Sequence, residues 1–142
     1  MSILFWNCQG IGNYPMVSSL RHFHVTNKPL FVGIADPRMK FEKWGSFKWL
    51  SLSYTLVDSN IPFNESESLW VIKNDSVSLV SVLSDFQLVT LTCSFNNAPH
   101  SVNFLYAFNL YTRRRALWRN IVDISETMMN RWILMGDFNT VL

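Results

Sequence analysis

The chain has 142 residues, enough for one domain with a real core and too few for two ordinary ones. Hydrophobic residues make up 49% and charged residues 15%, which excludes a disordered chain or a highly charged solubilising module. A net charge of +2 permits nucleic-acid contact without arguing for it, because phosphate binders concentrate positive charge.

Ser2 to Cys8 reads as a short buried strand opening into Gln9-Gly10-Ile11-Gly12-Asn13, a turn-forming segment. Pro15 suits the first turn of a helix whose Val17, Leu20, Phe23 and His24 share one face through about Thr26. Lys28-Pro29 ends it, and Leu30 to Ala35 is a second buried run stopped by Asp36-Pro37. Strand, helix and strand in so short a span make a βαβ unit or its antiparallel relative. Met39 to Trp49 lacks periodicity and reads as a loop. Five β segments follow as a meander: Tyr54–Val57, Leu69–Ile72, Ser76–Leu83, Gln87–Phe95 and Val102–Ala107. Thr112 is placed to cap a helix running to about Met129, with Leu117, Trp118, Ile121, Ile124 and Met128 on one stripe. Trp132 to Met135 is the last strand. The whole is an α/β or α+β layered domain.

Cys8 and Cys93 sit far apart in apolar, strand-like contexts, which favours buried reduced thiols over a disulfide. No Cys or His spacing suggests zinc, no signal peptide opens the chain and no apolar run is long enough to span a membrane. The sequons at Asn64 and Asn74 are then expected to be unused, in an intracellular protein.

The residues that carry chemistry terminate the buried runs. The run from Trp132 ends in Gly136 and delivers Asp137 and Asn139, which point the same way from an extended segment. A carboxylate and an amide so placed suit a hard cation, a phosphate or a nucleophilic water, and equally suit a polar turn. Asn7 ends the first run, where it is either a site residue or a turn starter. Asp36 ends the second, as a metal ligand or a turn residue. Arg113, Arg114 and Arg115 begin the second helix, where positive charge opposes the helix dipole. They offer phosphate contacts, or else one solvated helix face. His22, His24 and His100 form no recognisable triad.

Five blocks in order resemble the endonuclease/exonuclease/phosphatase superfamily, in particular the apurinic-type endonuclease domain of plant LINE-type (non-LTR) retrotransposons. They are Ile3 to Gly10 with Gly12-Asn13, Phe31 to Met39, Leu105 to Asn109, Arg113 to Trp118, and Trp132 to Asn139. The resemblance implies part of a four-layer α/β sandwich over residues 1–142 and Mg²⁺-dependent hydrolysis of DNA phosphodiesters, with Mn²⁺ as the alternative ion. Asn7 would help to position metal and phosphate, and Asp36 would be the principal metal ligand. Tyr106 and Asn109 match the family's Tyr-x-x-Asn segment; Tyr106 would be catalytic, near the scissile phosphate, and Asn109 is expected, with Arg113, Arg114 and Arg115, to bind nucleic acid. Asp137 would activate the attacking water, and Asn139 would hold the phosphate or that water. DNA is the implied partner and the nucleus the implied location.

Three departures from the family accompany the match. Asp36 stands where the family usually has glutamate, which keeps the charge on a side chain shorter by roughly 1.5 Å. Glu65-Ser66-Glu67-Ser68 puts acids where the family usually has small residues. The family's later Asp and its C-terminal Asp–His pair have no counterpart before Leu142, so the expectation is an N-terminal portion with weak or no activity. Two alternatives stay open: a non-catalytic retroelement remnant that at most binds nucleic acid, and another phosphodiesterase or phosphatase branch of the superfamily.

Overall fold

Phe31 to Ala35 is buried along its whole length, and one sheet grows around it in a computed structural model that describes residues 1–12, 14–40, 43, 47, 53–58 and 69–140. Asn13, most of the loop expected over residues 39–49, the sequon at Asn64 and the acidic segment 65–68 lie outside the described residues. The elements in order are β1 (Ile3–Asn7), α1 (Tyr14–Asn27), β2 (Phe31–Ala35), β3 (Tyr54–Asp58) and β4 (Leu69–Asn74). They are followed by β5 (Leu79–Ser84), β6 (Leu88–Phe95), β7 (Ala98–Tyr106), α2 (Tyr111–Thr127) and β8 (Arg131–Asp137).

The expected meander is divided between two sheets. One has the order β1-β2-β4-β3 and the other β5-β6-β7-β8, so the chain changes sheet between β4 and β5. In the first, β1 and β2 are parallel and α1 is their crossover, which makes the opening unit a true βαβ. The second sheet repeats the device, with β7 and β8 parallel and α2 between them. Antiparallel strands complete each sheet.

Three apolar clusters define four layers. Met16 and Leu20 of α1 pack on Val32, Ile34, Trp70 and Ile72 of the first sheet. The opposite face of that sheet, with Phe31, Leu69 and Val71, meets Val89, Leu91 and Phe104 of the second. Leu117 of α2 covers Leu88, Leu105 and Ala107 on the far side. Period-two alternation in the central strands supplies both faces at once. Gly33 lets the sheets close, since a Cβ there would lie 2.3 Å from the Phe104 ring.

Local expectations shift in four places. Met16, not Phe23, is buried on α1; Phe23 is largely exposed and meets Trp6 edge-on at 5.3 Å. β5 begins at Leu79 rather than Ser76, because the Asn74 side chain accepts the Ser76 N–H at 3.0 Å and holds a turn there. β7 starts at Ala98, since Asn96 and Asn97 both adopt positive φ (51° and 60°) and close a tight hairpin. The N-cap of α2 is Leu110, without a side-chain bond, and Thr112 lies inside the first turn.

Candidate active site

Parallel strands deliver their C-terminal ends to one edge, and here both parallel pairs point to the same place. Beyond β1 and β2 the backbone ladder continues, from Cys8 N to Ala35 O at 3.0 Å and from Gly10 N to Asp36 O at 2.8 Å. Beyond β7 and β8 it continues from Ala107 N to Asp137 O at 2.9 Å. The two pairs are joined across the sheets by Asn7, whose Nδ2 donates to Asp137 Oδ2 at 2.6 Å. Asn7, Phe5, Gly136, Asp137, Phe138, Asn139 and Thr140 line an open depression of about 520 Å³.

Asp137 is held at both oxygens. Oδ2 accepts from Asn7, and Oδ1 accepts the Asn139 backbone N–H at 2.9 Å. Asn139 has φ 47°, a left-handed conformation that Asn tolerates, and its side-chain Nδ2 donates to the Ala107 carbonyl. Asn139 therefore ties the two strand ends together. Gly136 is required by close approach, because a Cβ there would meet the Leu105 carbonyl at 2.0 Å. Phe138 turns the other way and stacks on Trp118 of α2, centroids 5.9 Å apart.

Asp36 follows β2 with φ 50°, and its Oδ2 accepts from Arg38 Nε at 3.0 Å. Sequence reasoning gave Arg38 no role; the short spacing in Asp36-Pro37-Arg38 was the available signal. Tyr106, at the end of β7, is half-buried. Its phenol is pushed above the ordinary tyrosine value, first by burial and then by the negative charges of Asp36 and Asp137. That shared influence puts Asp36, Tyr106 and Asp137 in one electrostatic neighbourhood. Cys8 adjoins it: its thiol points at the Asp36 carbonyl, Sγ to O 3.3 Å, and is pushed up in pKa mainly by burial. Both Cys8 and Cys93 are buried free thiols.

The other expected residues lie at the rim. Asn109 is exposed just after β7. Arg113 and Arg115 are exposed, with guanidinium groups over Phe108 at 5.3 Å and Tyr111 at 5.5 Å. Arg114 is turned inward, to backbone carbonyls. Its Nη1 meets three of them, so of the three arginines expected at the nucleic-acid-binding surface it is the half-buried one. Among the described residues no three His, Cys, Asp or Glu side chains cluster as a metal-binding group, and no helix is long and apolar enough to cross a membrane.

Two sheets with a helix on each outer face make a fold that the chain shares with solved structures of the endonuclease/exonuclease/phosphatase superfamily. Danio rerio TDP2, complexed with a single-strand DNA product, superposes with TM-score 0.77 at 14% identity, covering 100% of this chain and 62% of that one. NExo from Neisseria, described as a 3′ phosphatase bound to a product DNA hairpin, gives 0.71 at 14% identity, covering 98% and 58%. The endonuclease domain of TRAS1, a telomere-specific non-LTR retrotransposon, gives 0.71 at 13% identity, covering 98% and 60%. The chain thus spans about three fifths of the length of these structures. No protein-family model matches the sequence, and no curated protein matches it.

Proposed function

We propose that the converging strand ends form the phosphodiester-hydrolysing face of a DNA nuclease, of the kind found in LINE-type retroelements. One observation carries the reading: Asn7 and Asp137, 130 residues apart, are hydrogen-bonded across two sheets at 2.6 Å, with Tyr106 in register with Asp137 and Asp36 next to Ala35, the strand partner of Asn7. A structural turn needs no such meeting of distant strand ends. The neighbours described with DNA products or as a retrotransposon endonuclease support DNA as the substrate.

The Asp36 carboxylate, the Asn7 amide oxygen and Asp137 make an oxygen-only donor set, which fits Mg²⁺ or Mn²⁺. Such an ion, when bound, would stabilise charge on the phosphate and the leaving oxygen. Arg38 competes with it for Asp36. Asp137, fixed at both oxygens, is oriented to take the proton of an attacking water. The Tyr106 phenol stays protonated at neutral pH and remains a hydrogen-bond donor to a phosphate oxygen. Asn139 holds the loop that presents Asp137, and Arg113 and Arg115 offer exposed charge along a DNA backbone. On this reading the protein works in the nucleus.

Nicking of supercoiled plasmid with Mg²⁺ tests the assignment. Cleavage by the protein that Asp137→Ala abolishes supports it, and cleavage that survives the substitution refutes it. Binding without cutting is the second reading, favoured by the Arg38–Asp36 pair, which already occupies one oxygen of the expected metal ligand. Salt-dependent DNA binding with no Mg²⁺-dependent cleavage would select it.

A further inference from the structure

Three adjacent arginines at the start of α2, two of them in its first turn, oppose the helix dipole and gain nothing from it. Arg113 and Arg115 lie on aromatic rings at the surface. Arg114 differs. Its Nη1 is 3.0 Å from the Phe108 carbonyl, 2.7 Å from that of Asn109 and 2.7 Å from that of Asn139. Phe108 and Asn109 leave the end of β7, and Asn139 leaves the end of β8. The paired register ends at Tyr106 and Asp137, so among the described residues neither segment has a strand partner for these carbonyls, and one permanent cation gathers them. The Nε of Arg114 is buried with no partner among the described residues, which shows how far the side chain has been drawn inward.

Neighbouring contacts hold the same junction. Gln87 accepts the Tyr106 N–H on its backbone oxygen at 2.9 Å and the Phe108 N–H on Oε1 at 2.7 Å. Its Nε2 donates to the Arg113 carbonyl at 3.3 Å. Trp118, four residues along α2, stacks on Phe138. The helix start thus grips both exits: the one after Tyr106, and the one containing Asp137, Phe138 and Asn139.

We infer that Arg114 is a positioning residue, which sets the Asp137–Asn139 loop against the Tyr106 strand end and makes no contact with substrate. This rests on the reading of the site as hydrolytic. All three carbonyls meet one nitrogen, Nη1, at the tip of a rigid planar group, whereas a lysine ammonium sits one bond further back on a flexible stem and falls short of them. Arg114→Lys therefore keeps the charge and loses the clamp.

The test combines hydrogen exchange with kinetics on the full chain, using Arg114→Lys, Arg114→Ala and the exposed control Arg115→Ala. In both Arg114 variants, segments 107–110 and 136–140 lose protection while α1 and β2 keep it. For Arg114→Lys in the plasmid assay, kcat falls about ten-fold or more while KM stays within about two-fold, the mark of misplaced groups rather than lost binding. Arg115→Ala shows the reverse, a raised KM with kcat little changed. Wild-type protection of both segments in Arg114→Lys would overturn the inference. So would a raised KM with unchanged kcat, which would make Arg114 a phosphate contact. If the unsubstituted protein does not cut DNA, the hydrolytic reading fails by itself and the exchange data still decide whether Arg114 positions the loop. If Arg114→Ala does not fold, the Lys variant decides.

Discussion

The two βαβ halves share a plan but present their carboxylates in opposite ways. In the first half, β2 is wholly buried, and Asp36 leaves it in a left-handed turn with its charge met by Arg38, two residues on. In the second, β8 is only half-buried, and Asp137 is met by neutral donors, the Asn7 amide and the Asn139 backbone N–H. A carboxylate held by neutral donors keeps its full negative charge for a proton or a cation. One paired with its own guanidinium is partly neutralised. The same frame therefore builds one carboxylate bound by neutral donors and another bound by a guanidinium.

That asymmetry predicts unequal consequences for removing charge. Asp137→Asn keeps the shape and loses the proton acceptor. The expected fall in kcat is roughly 10²- to 10⁴-fold, the usual range for a general base, measured by single-turnover nicking. Asp36→Asn should cost less, because Arg38 already offsets part of that charge. Equal losses from the two substitutions would show that the halves contribute alike and would remove the distinction drawn from their partners.

The glycines sharpen the comparison next, one in each half. A Cβ at Gly136 meets the backbone oxygen of Leu105 at 2.0 Å, whereas one at Gly33 meets the Phe104 ring at 2.3 Å. A ring in a core moves more readily than a paired strand. Gly33→Ala should cost about 1–3 kcal/mol in urea unfolding, the usual range for overpacking. Gly136→Ala should cost more than Gly33→Ala and also displace Asp137, lowering kcat in the soluble fraction. A milder effect at Gly136 would mean that β8 shifts freely against β7.

Much of this arrangement was legible in the sequence because burial writes itself as apolar runs. Phe31 to Ala35 and Leu69 to Ile72 could hardly be anything but central strands, and two of the polar residues ending buried runs, Asn7 and Asp137, are hydrogen-bonded to each other. The division into two sheets was not legible, since antiparallel segments with short connections look the same whether consecutive strands pair or change sheet. Asn96-Asn97 held a readable turn signal, as Asn tolerates positive φ, but the Pro99 that follows argues locally against a strand. Arg114 was illegible for a different reason. Three adjacent arginines have identical chemistry, and only the helix's rotation about its axis decides which faces the loops. Arg38 was hidden because a two-residue spacing does not say whether the side chains meet; here both residues adopt positive φ, 50° and 49°, and the side chains pair at 3.0 Å.

Arg38→Ala probes the first half directly. Freeing Asp36 should lower the Mg²⁺ concentration needed for half-maximal nicking by roughly 1.4- to 5-fold, since an exposed ion pair is worth about 0.2–1 kcal/mol. No change would mean that Asp36 is available to a cation despite Arg38, and weaker Mg²⁺ dependence would assign Arg38 a part in binding DNA.

The finest measure of the asymmetry is the Tyr106 phenol, which feels both halves. Its pKa in the folded protein lies above the unfolded value, so the folded state holds the proton more tightly. The stability this contributes is complete below the unfolded value, near pH 10, and is lost as pH rises through the folded value. Tyr54, Cys8 and Cys93 are raised by burial as well and act in the same direction, so Tyr106→Phe should lessen the alkaline loss without abolishing it. After burial, Asp36 raises the phenol more than Asp137 does, and Arg38 opposes both. In a phenolate absorbance titration, Asp36→Asn should therefore lower the Tyr106 midpoint more than Asp137→Asn, and Arg38→Ala should raise it. The carboxylate with the smaller role in proton transfer would then be the one with the larger hold on the tyrosine. Asp36 would in that case act through the Tyr106 phenol as well as through any cation it binds.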